Sequence, residues 1–499
     1  MRTDSLGKDS RSCAGSRNVA GTVPTFICYL VMAVKAVPNV ERALFFAADQ
    51  LEGSLGDYLR RKLYGATLSY GASTEEVVHE IGEEWHEPCP ELRRSLHLIL
   101  SSVSESSHSS RDRSLSMALS AAIEGSRSRA REFASRVHQP VLLIYTLGVL
   151  LPMVLAVMVP VLYMTGASLG SPAVVMVSCA TPVLVYFVAR RVLADRPSFF
   201  NLVDIKRDEF DPKRAVTVSL ISSAPPLIAV LVKADTYLFM LSLLWAPALF
   251  LSLAIYCSYR VPFRLWEKSC RMESELPQAL LSVGNRMAEG RPAEESVLRA
   301  ARICSEPGLR AMFTEIAAKV RLGGMSFRAA VLGENGALKS VHSGVVRGAM
   351  RAMVDLVEKS SGAAGESMIY ISEHVGKLNE AYADMRKTMC EIVSSMRSVA
   401  TIFAPMIAGV TSSIFKLLFE KEAFSIFGQA SFPPHLFCVA MGVYSLLLSS
   451  VLSWFSAEIM YGNQSPPKYI SIALSLPLSL LIFTVSFVFG GHLMSKLIA

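Results

Sequence analysis

ELPQALLSVGNRMAEGRPAEESVLRAA, residues 275–301, is the stretch whose reading organises the rest of the chain. Leu276, Ala279, Leu280, Val283 and Met287 recur at helical spacing and form one apolar stripe on an otherwise polar helix. Gly290 is placed to stop that helix, and Pro292 suits the first turn of a second one. Glu294 and Glu295 then fall where the dipole of the second helix favours carboxylates. Val297, Leu298 and Ala301 carry the apolar face onward, so the stretch predicts a helical hairpin.

Landmarks of this hairpin recur earlier in the chain at a fixed distance. Pro24 corresponds to Pro277, since 277 − 24 = 253. Glu41, Ala47 and Ala48 fall on Glu294, Ala300 and Ala301 at the same offset. Ser73 falls on Ser326, where each serine is expected to cap the helix that follows. Pro152-Met153 falls on Pro405-Met406, deep in an apolar run both times. The reading is an internal duplication.

Composition points to a membrane. Hydrophobic residues make up 52% of the 499, and mean hydropathy is +0.39. At roughly 150 residues per domain the length allows about three units. The net charge of +7 fits basic loops on a membrane protein, and nucleic acid is not expected as a partner. Nine cysteines are scattered without a CxxC pair, which reads as small buried apolar residues rather than a disulfide or zinc framework.

Taken in order, residues 1–22 are a polar tail without the apolar core of a signal peptide. Residues 23–139 alternate amphipathic helical patterns with short polar breaks. Leu55, Tyr58, Leu59 and Leu63 share a face, as do Val77, Val78 and Ile81. Ser101–Ser114 reads as a loop or frayed helix end before a long basic helix. Residues 140–258 predict four spans, at 141–163, 172–189, 215–232 and 236–257, each apolar over a length near that of a bilayer crossing. A second helical domain occupies 259–397, and three more spans follow in 398–499, near 398–419, 432–457 and 469–491. The loop near 190–214 is dense in Lys and Arg, which predicts that it and both helical domains are cytoplasmic. The fold class is therefore all-α: a polytopic membrane protein with two duplicated helical-bundle domains and about seven spans.

Nothing in the chain predicts an enzyme. There is no GxxxxGK[ST] or HExxH, and no carboxylate pair lies in a span. His79 and His86 share a helix face, but the surrounding acids and prolines read as a surface turn. No cofactor or metal is expected. The spans are nearly free of ionisable groups, His435 being the main exception. That counts against the alternative reading, a two-halved transporter or channel, because transport sites usually keep charge at depth. Prolines at 152, 182, 225, 226, 247, 405 and 477 lie inside spans and are expected to kink them. Arg60, Arg61, Lys62, Arg347 and Arg351 are the candidate partner contacts, as charged helix faces beside helix breaks.

Glu-Leu-Pro, an apolar and small run, then Gly-x-Pro-x-Glu-Glu, all within residues 275–295, resembles the opening helices of the type II secretion F domain family. Residues 358–389, with a Ser360-Ser361-Gly362 break and a long helix expected from Glu366, resemble its last helices. The two-domain arrangement is similar to the archaeal platform proteins of archaella and Tad-like pili. The resemblance implies an inner-membrane platform on which a cytoplasmic hexameric ATPase docks. It also implies pilin-like subunits and membrane lipids as partners, and a homodimer or larger assembly. The first copy lacks the Glu-Leu before Pro24, so the implied ATPase contact falls more clearly on the second.

Overall fold

The computed structural model describes residues 22–36, 38–51, 54–68, 74–85, 89–164, 171–194, 217, 236–358, 361–420, 433–462 and 464–498. The expected tail up to residue 21, the Ser73 cap and all of the 215–232 span except Thr217 lie outside them. Every element among the described residues is helical, with no strand. They divide into two compact units. Unit 1 gathers the described residues of Met1–Glu132 and Arg264–Lys387; unit 2 gathers those of Phe133–Arg196, Arg207–Phe263 and Thr388–Ala499.

Unit 1 begins with α1 (Val23–Ala36), α2 (Val40–Gln50), α3 (Ser54–Leu68), α4 (Thr74–Glu84), α5 (Pro90–Ser104) and most of α6 (His108–Tyr145). It continues with the end of α9 (Thr236–Ala288), then α10 (Ala293–Ile303), α11 (Pro307–Arg321), α12 (Phe327–Leu332), α13 (Gly344–Val357) and most of α14 (Ser361–Ser398). The expected stripes are the buried ones: Leu276, Leu280, Val283 and Met287 in α9, and Leu55, Leu59 and Leu63 in α3. Gly290 ends α9 in the left-handed region, at φ 84°. Ser326 caps α12 by accepting from the Ala329 N–H at 3.3 Å.

Three boundaries differ from the sequence reading. Pro292 is the cap of α10, one residue ahead of the first turn it was expected to occupy. The serine-rich segment is helical except at residues 105–107, because Ser101, Ser102 and Ser104 each bond a carbonyl three residues back and satisfy their hydroxyls within the helix. And α14 starts at Ser361, ahead of Glu366.

α1 is the centre of unit 1. Phe26, Ile27, Cys28, Tyr29 and Leu30 are five consecutive residues, none more than 2% exposed, so buried side chains point in every direction around the helix. A helix apolar all round must be covered all round. Residues from both helical stretches supply that cover. Thr25 bonds Tyr382 at 2.7 Å, and a Cβ on Gly348 would sit 2.7 Å from the Tyr29 ring.

Unit 2 holds the end of α6, α7 (Leu151–Met164), α8 (Ser171–Ala194), the first half of α9, the end of α14, α15 (Ala404–Glu420), α16 (Pro434–Tyr461) and α17 (Ser465–Ile498). Among the described residues five helices are long and apolar enough to cross a membrane, within His108–Leu155, Phe239–Ala288, Ala364–Leu417, Pro434–Tyr461 and Ser465–Leu493. The chain is thus all-α and compatible with a membrane protein. The expected 172–189 stretch is also helical, inside α8. Leu142, Leu143, Leu184, Phe187, Leu474, Leu478 and Phe489 leave large apolar side chains exposed on these helices, a surface that water disfavours and lipid does not.

Helix boundaries recur at one spacing. α2 and α10 each have 11 residues, with starts related by 293 − 40 = 253. α6 and α14 each have 38, and 361 − 108 = 253. A π-helical turn follows each of the latter pair, at Thr146–Leu150 and Val399–Phe403, again with 399 − 146 = 253.

Candidate functional site

The expected partner contacts fall on two helices. In α3, Arg60 donates to the Ala48 and Leu51 carbonyls at 2.8 and 3.2 Å, closing the end of α2, and pairs with Asp57 at 2.7 Å. Lys62 pairs with Glu84 at 2.7 Å and Glu80 at 3.4 Å, and its side chain is only 16% exposed. Arg61 bonds only within its own helix and stays exposed. In α13, Arg347 is half-buried and Arg351 exposed, one turn apart on one face. Arg61 and Arg351 are therefore the two whose charge faces solvent. Beside them, Arg328 grips Glu358 through two donors, at 2.5 and 2.7 Å, and Asp355 at 2.8 Å, holding the Glu358 carboxyl below its usual pKa.

A second group lies inside unit 1, where α1 meets α6 and α14. Lys35 Nζ reaches Asp112 Oδ1 at 2.5 Å and lies 4.9 Å from the Tyr370 ring centre. Tyr370 donates to the Asp112 carbonyl at 3.3 Å and packs on His374 at 3.9 Å between ring centres. His374 is 1% exposed, and its Nδ1 bonds the Tyr370 carbonyl at 2.8 Å. Since a carbonyl only accepts, Nδ1 carries the proton. Burial pushes the neighbouring Cys28 thiol up to about 12, so it stays protonated and is no nucleophile at neutral pH. The cluster ties three helices together; it holds no group suited to attack a substrate.

Sequence reasoning missed this cluster, though the 253-residue offset carries its signal. Lys35 and Asp112 stand 253 residues before Ala288 and Gly365 (288 − 35 and 365 − 112). At that offset the two meet backbone to backbone, so that a Cβ on Gly365 would overlap the Ala288 nitrogen. One crossing is thus made by an ion pair and the other by the absence of side chains.

Prolines explain a third set of contacts. A proline inside a helix leaves the carbonyl four residues earlier without its N–H partner. For Pro152 that carbonyl is Gly148, and Tyr444 of α16 donates to it at 2.6 Å. For Pro277 it is Glu273, and the Asn379 amide of α14 donates to it at 2.6 Å. The π turns precede Pro152 and Pro405, where the wider ladder runs from Leu151 N–H to Thr146 and from Ala404 N–H to Val399. Such turns move the displaced carbonyl away from the ring.

Tyr444→Phe is expected to cost about 1–3 kcal/mol, the penalty of a buried unpaired acceptor. In a Pro152→Ala background the restored N–H would satisfy Gly148, and the same substitution should then cost less than about 0.5 kcal/mol. Thermal unfolding of the four proteins of this cycle in detergent decides it; equal costs in both backgrounds would refute the account.

Lys416 lies within α15, its ammonium 4.2 Å from the Tyr237 ring centre. Among the described residues no group of three or more His, Cys, Asp and Glu is placed to hold a metal ion. Comparison with known protein families, curated proteins and solved structures finds no match to this chain.

Proposed function

We propose that the protein is a duplicated, multi-pass membrane platform that couples a cytoplasmic assembly ATPase to the insertion of pilin-like subunits into a filament. The observation that carries the reading is the offset of 253 residues that relates α2 to α10, α6 to α14, and the two π turns. Duplication of a unit made of a helical bundle followed by spans accounts for that spacing. In this reading four spans separate the two cytoplasmic stretches, 23–139 and 259–397, and three follow the second, with the basic 190–214 loop on the same side as both stretches. The function is mechanical rather than catalytic, and the platform works as a homodimer in the cytoplasmic membrane.

The test is an affinity purification of the full chain from native membranes in mild detergent, with partners identified by mass. A hexameric secretion-type ATPase is expected among them. Charge reversal at both Arg61→Glu and Arg351→Glu should weaken its recovery, since these two cations face solvent. Cells lacking the chain that still build their surface filaments would overturn the reading.

A further inference from the structure

His79 finds a partner that residue order does not reveal. Helical spacing sets it beside His86, which lies outside the described residues. Its ring meets that of His97 instead, with ring centres 5.9 Å apart and planes at 86°. His79 belongs to α4 and His97 to α5, and both are exposed. Val77, Val78 and Ile81 of α4 are buried, as are Leu92, Leu96 and Ile99 of α5. The two imidazoles therefore stand on the outer side of this helix pair.

The register that brings them together is held one turn away. Glu83 of α4 pairs with Arg93 of α5 at 2.9 Å, and a Cβ on Gly82 would lie 3.5 Å from the Arg93 Cγ. Stepping back one turn from Glu83 reaches His79, and stepping on one turn from Arg93 reaches His97. The histidines are the next rung of the same antiparallel pair. Their surroundings favour a cation. α4 carries Glu75, Glu76, Glu80, Glu83 and Glu84 and no lysine or arginine. Lys62, Arg93 and Arg94 are the bases that stand against these five glutamates, which leaves this side net negative. Glu75 and Glu76 are exposed one turn ahead of His79, within side-chain reach of an ion bound there.

Two imidazoles that ligate one ion at about 2.1 Å put their ring centres roughly 5–6 Å apart at a tetrahedral angle. The terminal torsion of a histidine is broad, so the ring nitrogens can turn toward a shared point from the observed spacing. We propose that His79 and His97 form a two-histidine site for a zinc-class divalent ion that bridges α4 and α5. Imidazole nitrogen suits zinc, copper and nickel, whereas magnesium and calcium take oxygen ligands. Among the described residues no third histidine, cysteine or carboxylate completes a ligand group, so water fills the remaining positions and the ion exchanges with solution. The bound ion pins the two helices on the side opposite their apolar seam.

The probe is Zn²⁺, titrated calorimetrically into the full chain, purified in detergent with a histidine-free tag and stripped of metal by a chelator. The wild-type protein is expected to bind Zn²⁺ and to give no heat with Mg²⁺. His79→Ala and His97→Ala should each weaken zinc binding by about tenfold or more, since each removes one of only two protein ligands. His108→Ala, which alters another exposed histidine of unit 1, should leave binding unchanged. Rings that merely touch would hold an ion no better than a lone histidine. No binding by the wild type, unchanged affinity in either variant, or an equal loss in His108→Ala therefore overturns the site. Both side chains are exposed, so the variants are expected to fold, and thermal unfolding checks that they do. It also supplies a second reading. An ion that bridges two helices binds only the folded chain, so Zn²⁺ should raise the unfolding temperature of the wild type and not that of either variant. An equal rise in all three proteins overturns the proposal as well.

Discussion

Gly365→Leu is expected to destabilise unit 1 by about 3 kcal/mol or more, at the upper end of overpacking costs. The start of α14 runs against the end of α9 so closely that the nearest atoms to a Cβ at 365 are backbone: the Ala288 nitrogen and the Met287 carbonyl carbon. Backbone cannot rotate out of the way as a side chain can. The same pair of helices leaves only 2.9 Å between a Cβ on Gly284 and the Ile369 nitrogen. It is also tied by Ser372 donating to the Pro277 carbonyl and Asn379 to that of Glu273, both at 2.6 Å. A leucine at 365 must therefore push the helices apart along a seam that hydrogen bonds hold closed. Denaturant unfolding of the purified protein, followed by tryptophan fluorescence, measures the loss. A change below about 1 kcal/mol would mean that the two helices do not approach as described.

Phe26→Ala should be as damaging, at about 3–5 kcal/mol, the range for a fully buried phenylalanine whose site cannot collapse. Phe26 is 1% exposed on a helix surrounded on all sides. Its counterpart 253 residues later is Ala279, also buried, on a helix with one polar and exposed face. The two positions therefore make different demands. In α1 a large side chain fills space enclosed by both helical stretches, and in α9 a methyl suffices. Ala279→Phe is expected to overpack its own seam and gain nothing. If Phe26→Ala unfolded no earlier than wild type, α1 would not be the core helix it is described as.

Much of this architecture was legible from residue order. The stripe Leu276, Ala279, Leu280, Val283 and Met287 marks the buried face of the end of α9, because helical periodicity is a local property that neighbouring residues set together. The 253-residue spacing between Pro152 and Pro405 reappears between the π turns before them, since the same local strain draws the same local response. The apolar runs likewise announced the long helices of unit 2. Of the expected contact residues, the sequence could not say which cations keep their charge for a partner. Lys62 and Arg61 are adjacent in sequence, yet one is enclosed by Glu80 and Glu84 while the other faces solvent.

Among the described residues, the sequence by itself determined which segments are helical, which helix boundaries share the 253-residue offset and which faces are apolar. Tertiary structure alone decided that α1, apolar on every side, is a core helix. It also decided that Lys35 finds Asp112, that Tyr444 caps the carbonyl left bare by Pro152, and that Arg397 bonds Ser471 of α17. The reason is range. Helical periodicity is written within a few residues, whereas Thr25 and Tyr382 lie 357 positions apart, and Gly148 and Tyr444 lie 296 apart. Contacts over such separations are set by how helices pack, and no local pattern of residues encodes them.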